Sequence, residues 1–182
     1  MFNAILSKQI FDQLMNGKVI NKHELNNSAE FRENQLFTEI VGNLDDYQRQ
    51  YEMSGYEFVQ HPSFIYIREK TSKSEELKTD ITMRACVLLL LVGKYITEQN
   101  YQLTKLTEKT GGLEQSDFEI MEEMSDIREI LQKAGIKNGL YNAVKSVLVD
   151  RNIMLELPDR RSYILSDAGK TFFDEVIQSY QG

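Results

Sequence analysis

The sequence predicts an α+β protein that is mainly helical, with small β wings, and that is built from tandem winged-helix domains. Apolar residues recur at helical spacing along much of the chain, and two short runs of aromatic and β-branched residues are each divided by a turn. The order of helix, strand, paired helices and hairpin occurs in the first third of the chain and again in the second half. The repeat is therefore one of element order rather than of residue identity.

The stretch Leu140–Leu165 shows this order most clearly. Residues Leu140–Val149 predict a helix with one buried apolar stripe. Ile153–Leu157 and Ser162–Leu165 then have the composition of two strands, and Pro158–Arg161 between them predicts a tight turn. A helix followed directly by a hairpin with a basic tip is the second half of a winged helix, so we expect a recognition helix and a wing here.

The first third of the chain predicts a similar unit. Its predicted elements are an amphipathic helix over Phe2–Asn16, with Ile5, Phe11 and Met15 widening the apolar stripe, a short strand over Lys18–Ile20, a brief helix capped by Asn21, a long helix over about Glu30–Met53, and a hairpin over Tyr56–Arg68. We expect this unit to form the first winged-helix domain, over residues 1–70.

A polar segment separates this unit from the next. Glu69–Thr79 contains one apolar residue, which predicts a linker over residues 71–80 and a second winged-helix domain over residues 81–182. Asp80 can cap a helix to about Glu98, and its centre, Ala85–Val92, is apolar all round, which predicts burial on nearly every side. The remaining predicted elements are a short strand at Gln102–Thr104, a helical turn at Leu106–Thr110, a helix that stops at Gly135, and a C-terminal helix over Ser166–Tyr180 capped by Ser166 or Asp167.

Charge is distributed unevenly along the chain, whose formal net charge is −7. Leu113–Glu129 carries seven acids and one base, which predicts a solvated helix face or a mobile loop. Lys133–Arg161 carries six bases and three acids. The negative total argues against a protein whose main task is to bind a phosphate backbone unaided.

The residue patterns of common catalytic and metal sites are missing from the sequence. His23 and His61 are isolated from each other and from the single cysteine, Cys86, so no metal-ligand spacing or disulfide is expected. The sequence shows neither a Gly-rich phosphate loop nor a nucleophile elbow. The longest apolar run is too short to span a bilayer, and the first residues lack the pattern of a signal peptide. We therefore expect a cytoplasmic protein that is not an enzyme and that has no cofactor, no metal and no membrane contact.

The second predicted recognition helix and wing supply the candidate DNA contacts. In a DNA-binding winged helix, such bases reach phosphates while the helix enters the major groove. An alternative is that they only solubilise an exposed face, since they are few and Asp150 and Asp159 lie among them. The candidate DNA-backbone contacts are Lys137, Lys145, Arg151, Arg160 and Arg161.

A second candidate surface lies at the end of the long predicted helix and on the first wing, where Tyr47, Tyr51, Tyr56 and Phe58 crowd together. Core packing is the default interpretation of such spacing. A partner-binding patch is the alternative, because tyrosine is favoured where one end of a side chain is apolar and the other wet.

Residues of the first domain resemble a known family. Asn16–Ile20 and then Glu24–Ala29 look like the N-terminal segment of MukE, the small accessory subunit of the bacterial condensin MukBEF. The resemblance continues in register through the long helix to the hairpin, where Phe64–Arg68 is similar to the family's aromatic second strand. It extends in order along the chain, more loosely in the apolar helix and in the final helix and wing.

Departures from MukE favour a subtype. The chain is shorter, has a smaller insert before the last winged helix and lacks an acidic C-terminal tail, which favours the MukE-like subunits of MksBEF and of related plasmid-defence condensins. The resemblance implies a non-catalytic, nucleoid-associated homodimer that binds the kleisin subunit, and through it an SMC ATPase, in chromosome condensation and segregation or in plasmid defence. DNA contact is then expected to be weak or made only within the complex. The alternative function is an autonomous winged-helix DNA-binding transcriptional regulator.

Overall fold

The protein is an α+β chain in which helices predominate, as expected. The structure, a computed structural model, describes residues 2–70 and 75–181, with side chains described outside residues 71–82 and 180–182. The first half contains α1 (Ala4–Met15), β1 (Ile20–Asn21), β2 (His23–Leu25), β3 (Phe31–Glu33), α2 (Gln35–Gly42), α3 (Leu44–Met53), β4 (Tyr56–His61) and β5 (Phe64–Glu69).

The second half is mainly helical and ends in a hairpin and a long helix. Its elements are α4 (Glu75–Glu98), α5 (Thr104–Thr107), α6 (Gln115–Glu123), α7 (Ser125–Lys133), α8 (Leu140–Ala143), which continues directly as a π-helical segment (Val144–Val149), β6 (Met154–Leu157), β7 (Ser162–Leu165) and α9 (Asp167–Gln181). None of the described helices is both long enough and apolar enough to cross a membrane.

The hairpin predicted in the first half is confirmed. Strands β4 and β5 pair antiparallel from Tyr56 opposite Glu69 to His61 opposite Phe64, and β1 adds to the other edge of β5. The core of this half lies between the sheet and helices α1–α3. Its buried apolar side chains are Ile10, Leu14, Ile20, Leu36, Phe37, Ile40, Tyr47, Tyr51, Phe58 and Ile65.

The helical prediction for the segment between β1 and β4 is wrong in two places. The brief helix capped by Asn21 does not form, because β2 pairs antiparallel with β3 and Glu24 forms an ion pair of 2.8 Å with Arg32 opposite it. The long helix over Glu30–Met53 is divided into β3, α2 and α3. Asn34 starts α2 by accepting a hydrogen bond from the Leu36 N–H, and the chain leaves helical geometry at Asn43 (φ −134°).

The apolar stripe predicted for the first helix is too wide. Helix α1 buries Ile10 and Leu14 against the core, as expected. The side chains that widened the predicted stripe are instead exposed: Ile5 by 73%, Phe11 by 45% and Met15 by 41%. The helix thus carries apolar residues on its solvent side as well as on its core side.

Helix α4 is the centre of the second half. It begins at Glu75, five residues before the predicted cap at Asp80, so the described part of the predicted linker is helical, while residues 71–74 lie outside the described residues. Within its apolar centre, the burial expected on nearly every side is found in part: Leu88, Leu89, Leu91 and Val92 are buried, whereas Ala85, Cys86, Val87 and Leu90 are only partly buried. The strand predicted at Gln102–Thr104 is wrong, because the amides of residues 105 and 106 donate to the carbonyls of residues 102 and 103 and begin the helical turn of α5.

The two halves pack against each other through β1, β5 and α9. Val19 and Phe64 belong to the core cluster of the second half, and the Phe172 ring of α9 meets the Phe64 ring edge-on at 5.3 Å between centroids. Two largely separate apolar clusters nevertheless persist, one in each half. The boundary at residues 71–80 stays a prediction.

Candidate functional site

The helix and hairpin expected over Leu140–Leu165 are present, and they contain the predicted basic residues. Strands β6 and β7 pair antiparallel from Met154 opposite Leu165 to Leu157 opposite Ser162. The helix is unusual because its second part has π geometry, with the Asp150 N–H donating to the Lys145 carbonyl at 2.8 Å. Short π segments are often found at functional sites. Of its predicted apolar stripe, Leu140, Val144 and Leu148 are buried, whereas Val147 and Val149 are partly buried.

A carboxylate already occupies the N-terminal end of this helix. Gly139 precedes α8 with φ +83°, and the Leu140 N–H donates to the Glu122 carboxylate. Free N–H groups at a helix start attract anions, including phosphates. Because Glu122 supplies an anion from within the chain, the Leu140 N–H is not available to a DNA phosphate.

The two arginines at the hairpin tip have different surroundings. The Arg160 guanidinium donates to the backbone carbonyls of Lys109 and Thr110, and its Nε lies 3.6 Å from an Asp159 carboxylate oxygen. Arg161 is exposed and has φ +49°, the left-handed conformation of the turn. Arg160 therefore ties the hairpin to the loop after α5, whereas the exposed Arg161 side chain makes no hydrogen bond or ion pair among the described residues.

The other three bases are also unequal. Arg151 donates to the Gly17 carbonyl at 3.4 Å and so contacts the first half of the chain. The Lys145 ammonium lies 5.7 Å from the centre of the Tyr141 ring, within the range of a cation–π contact. Lys137 is exposed in the turn before α8. Lys137, Arg160 and Arg161 are thus exposed, and of these Lys137 and Arg161 have no side-chain bond to another described residue.

The aromatic residues of the second candidate surface lie mostly in the core. Tyr47, Tyr51 and Phe58 are buried, and the Tyr51 and Phe58 rings stack at 6.0 Å between centroids. Only Tyr56 is half-buried. This placement corresponds to the core-packing interpretation, since a side chain that is 2% or 3% exposed offers a partner almost no surface.

Sequence reasoning missed a polar seam that joins the two halves, formed by Asn21, His23, Asn152, Asp167 and Ala168. The Asn21 amide donates to the Asn152 carbonyl at 2.8 Å and accepts from the Ala168 N–H at 2.9 Å. The Asn152 amide donates to the Val19 carbonyl at 2.9 Å.

Asp167 completes the seam by accepting from the His23 backbone N–H at 2.8 Å and lying 3.1 Å from the His23 Nδ1. Asn152 is the residue of this seam whose position the local sequence explains. It lies at a helix end with φ +62°, a left-handed conformation that asparagine adopts more readily than most residues. Nothing local indicates the contacts across more than 130 residues of sequence.

Exposed apolar side chains mark further surfaces on which another protein could pack. Met53 at the end of α3 is 78% exposed, and Ile120 and Ile130 are exposed on the acidic helices α6 and α7.

The acidic stretch predicted as a solvated helix face or a mobile loop is helical, and its apolar residues Phe118, Met121 and Ile127 lie in the core. Within the described part of the chain, His, Cys, Asp and Glu side chains form no group of three or more that could hold a metal ion.

The comparison with protein families places the chain among the condensin complex proteins. A family model described as "Condensin complex protein MksE" matches residues 6–177. Because the match covers nearly the whole chain, the protein belongs to the MksE family and is an accessory subunit of a condensin, an SMC-type complex. The search of curated proteins found no match.

Proposed function

We propose that the protein is the kleisin-binding subunit of a MukBEF- or MksBEF-like complex, and that it supports chromosome condensation and segregation or plasmid defence. It acts as a homodimer, without catalysis of its own, in the nucleoid region of the cytoplasm. The observation that carries the proposal is the MksE family match over residues 6–177.

The fold supports a scaffold built from two tandem winged-helix domains. Each half has a helix followed by a strand hairpin, α3 with β4–β5 and α8 with β6–β7, and the seam of side-chain hydrogen bonds fixes one half against the other. The exposed apolar side chains of α1, together with Met53, provide area that a partner or a second copy can cover. An extended kleisin segment bound along such a scaffold would connect the protein to the SMC ATPase.

Co-purification with the cognate kleisin tests the proposal. We expect a tagged kleisin fragment to retain the full chain through affinity and size-exclusion steps, and light scattering to show two copies of this chain in the complex. A kleisin from an SMC complex of a different class is the matched control and should retain nothing. Failure of every fragment of the cognate kleisin to bind would disprove the proposal.

DNA binding by the protein alone is the second candidate function, that of an autonomous regulator, and the exposure of Lys137 and Arg161 favours it. Replacing both by glutamate should weaken duplex binding at low salt and reduce the salt dependence by about one counterion per lost phosphate contact. The double variant Lys8→Glu with Arg49→Glu makes the same charge change on exposed residues of α1 and α3 and is the control.

The outcomes separate the two functions. Equal weakening by both double variants would show that only net charge matters. Absence of duplex binding by the unaltered protein even at low salt would restrict DNA contact to the assembled complex.

A further inference from the structure

The turn between α7 and α8 contains an asparagine–glycine pair, Asn138 and Gly139. Asn138 is exposed, and Gly139 has φ +83°, a conformation that L side chains rarely adopt. A Cβ added at Gly139 would lie 3.0 Å from the Glu122 Oε1 atom that accepts the Leu140 N–H. The start of α8 therefore requires glycine after Asn138.

Neither reacting group of this pair is held by a hydrogen bond. Among the described residues, the Asn138 side-chain amide and the Gly139 N–H have no hydrogen-bond partner, while the Asn138 carbonyl accepts from the Asn142 amide at 2.9 Å. A glycine amide nitrogen without a neighbouring Cβ is open to approach by the preceding side chain. The required glycine thus leaves Asn138 chemically vulnerable.

We propose that Asn138 is a site of spontaneous intramolecular deamidation. Hydroxide removes the Gly139 amide proton, and the nitrogen attacks the Asn138 Cγ. A C–N bond forms, the Cγ–Nδ2 bond breaks, and Nδ2 leaves as ammonia after taking a proton from water. Water then opens the five-membered imide at either carbonyl, giving aspartate or isoaspartate. The net reaction consumes one water and releases one ammonia.

The product changes the charge and the geometry of a surface that carries candidate DNA contacts. Either product adds one negative charge beside Lys137 and close to the Glu122 carboxylate, where like charges repel. Isoaspartate also inserts a methylene into the backbone immediately before α8. The charge change occurs whether or not the protein binds DNA by itself.

The chain contains its own comparison at Asn16 and Gly17, the end of α1. Asn16 is exposed like Asn138, and Gly17 also has a positive φ, of +71°. Here, however, the Asn16 amide donates to the Asp12 carbonyl at 2.7 Å, and the Gly17 N–H donates to the Leu14 carbonyl at 3.0 Å. Both hydrogen bonds must break before the ring can close, so the fold protects Asn16.

Peptide mass spectrometry of the folded protein, aged in mildly alkaline buffer, tests the proposal. We expect Asn138 to gain the mass of an amide-to-acid conversion at least about tenfold faster than Asn16, because two hydrogen bonds must open at Asn16 alone. The variant Asn138→Gln should show no comparable gain at this position, because ring closure from glutamine is slower.

The unfolded chain is the decisive control. In urea both pairs lack their local structure, so their rates should become similar. Equal rates at Asn16 and Asn138 in the folded protein would overturn the proposal, and so would an intact Asn138 under conditions that convert it in the unfolded chain.

Discussion

Buried tyrosine hydroxyls show how single side chains differ in their stabilising effect. Tyr95 is 1% exposed and donates to an Asp117 carboxylate oxygen at 2.8 Å. Tyr51 is equally deep in the other core, and its hydroxyl has no hydrogen-bond partner among the described residues. Burial of this group raises the pKa of Tyr51 from 10.0 to about 12. The two phenols should therefore respond in opposite directions to the same substitution.

Tyr51→Phe should increase the free energy of unfolding by about 1 kcal/mol, because it removes a buried polar group that has no partner. Tyr95→Phe should decrease it by about 1–3 kcal/mol, because the buried Asp117 loses a donor. Urea denaturation of the two variants measures both changes. A loss of stability in Tyr51→Phe similar to that in Tyr95→Phe would contradict this assignment.

The Tyr51→Phe variant also gives a pH dependence with a definite sign. Since the pKa of Tyr51 is higher in the folded than in the unfolded protein, ionisation of this tyrosine favours the unfolded chain, and stability is lost as pH rises from 10 toward 12. Tyr51→Phe should therefore lose less stability over this range than the unaltered protein.

At the scale of single elements, helix α8 depends on another helix for its start. Its N-cap residue is Gly139, which has no side chain to accept a hydrogen bond from the first turn. The Glu122 carboxylate of α6 performs this role for the Leu140 N–H. The helix that carries Lys145 is thus positioned by the acidic segment, although the sequence indicated only a solvated face there.

Glu122→Ala should lower the free energy of unfolding by about 1 kcal/mol, a typical effect of losing a helix cap, and should speed amide exchange at Leu140. Glu123→Ala is the matched control, since Glu123 is an exposed glutamate next to Glu122 on the same helix. Exchange that is equally fast at Leu140 in both variants would show that Glu122 does not hold the start of α8.

At the scale of the whole molecule, the polar seam decides whether the two halves move together. Asn21 is 4% exposed and makes hydrogen bonds to both Asn152 and Ala168, so it connects β1 to the end of the π-helical segment and to the start of α9. Removing a buried side-chain amide lowers stability, because the buried groups that it was bonded to are left without a hydrogen-bond partner. The seam is therefore the place where a single substitution should uncouple the halves.

Asn21→Ala should reduce stability by about 2 kcal/mol, with two hydrogen bonds lost, and should separate the unfolding of the halves. Hydrogen exchange should show loss of protection in α1–β5 at lower urea than in α4–α9, whereas the unaltered protein loses both together. The control is Asn142→Ala, which removes only the exposed local bond to the Asn138 carbonyl. Coincident transitions in Asn21→Ala would show that apolar packing alone couples the halves.

The sequence by itself determined the features that neighbouring residues encode. Alternating aromatic and β-branched residues around a short turn produced β4–β5 and β6–β7 where they were predicted. Ser166, an expected cap, accepts from the Gly169 N–H at the start of α9. The resemblance to MukE, read from residues 16–68, led to the condensin class that the MksE match confirms.

Tertiary structure decided the features that depend on distant partners. Residues 31–33 pair with β2 instead of beginning a helix, and the helix starts only after the Asn34 cap. Residues differ in helix propensity by only a fraction of a kcal/mol each, so cross-strand pairing and the cap outweigh that preference. Which bases remain free was decided in the same way, since Arg151 and Arg160 bond to carbonyls far along the chain. Periodicity records which side of an element is apolar, but it carries no information about which remote group that element will meet.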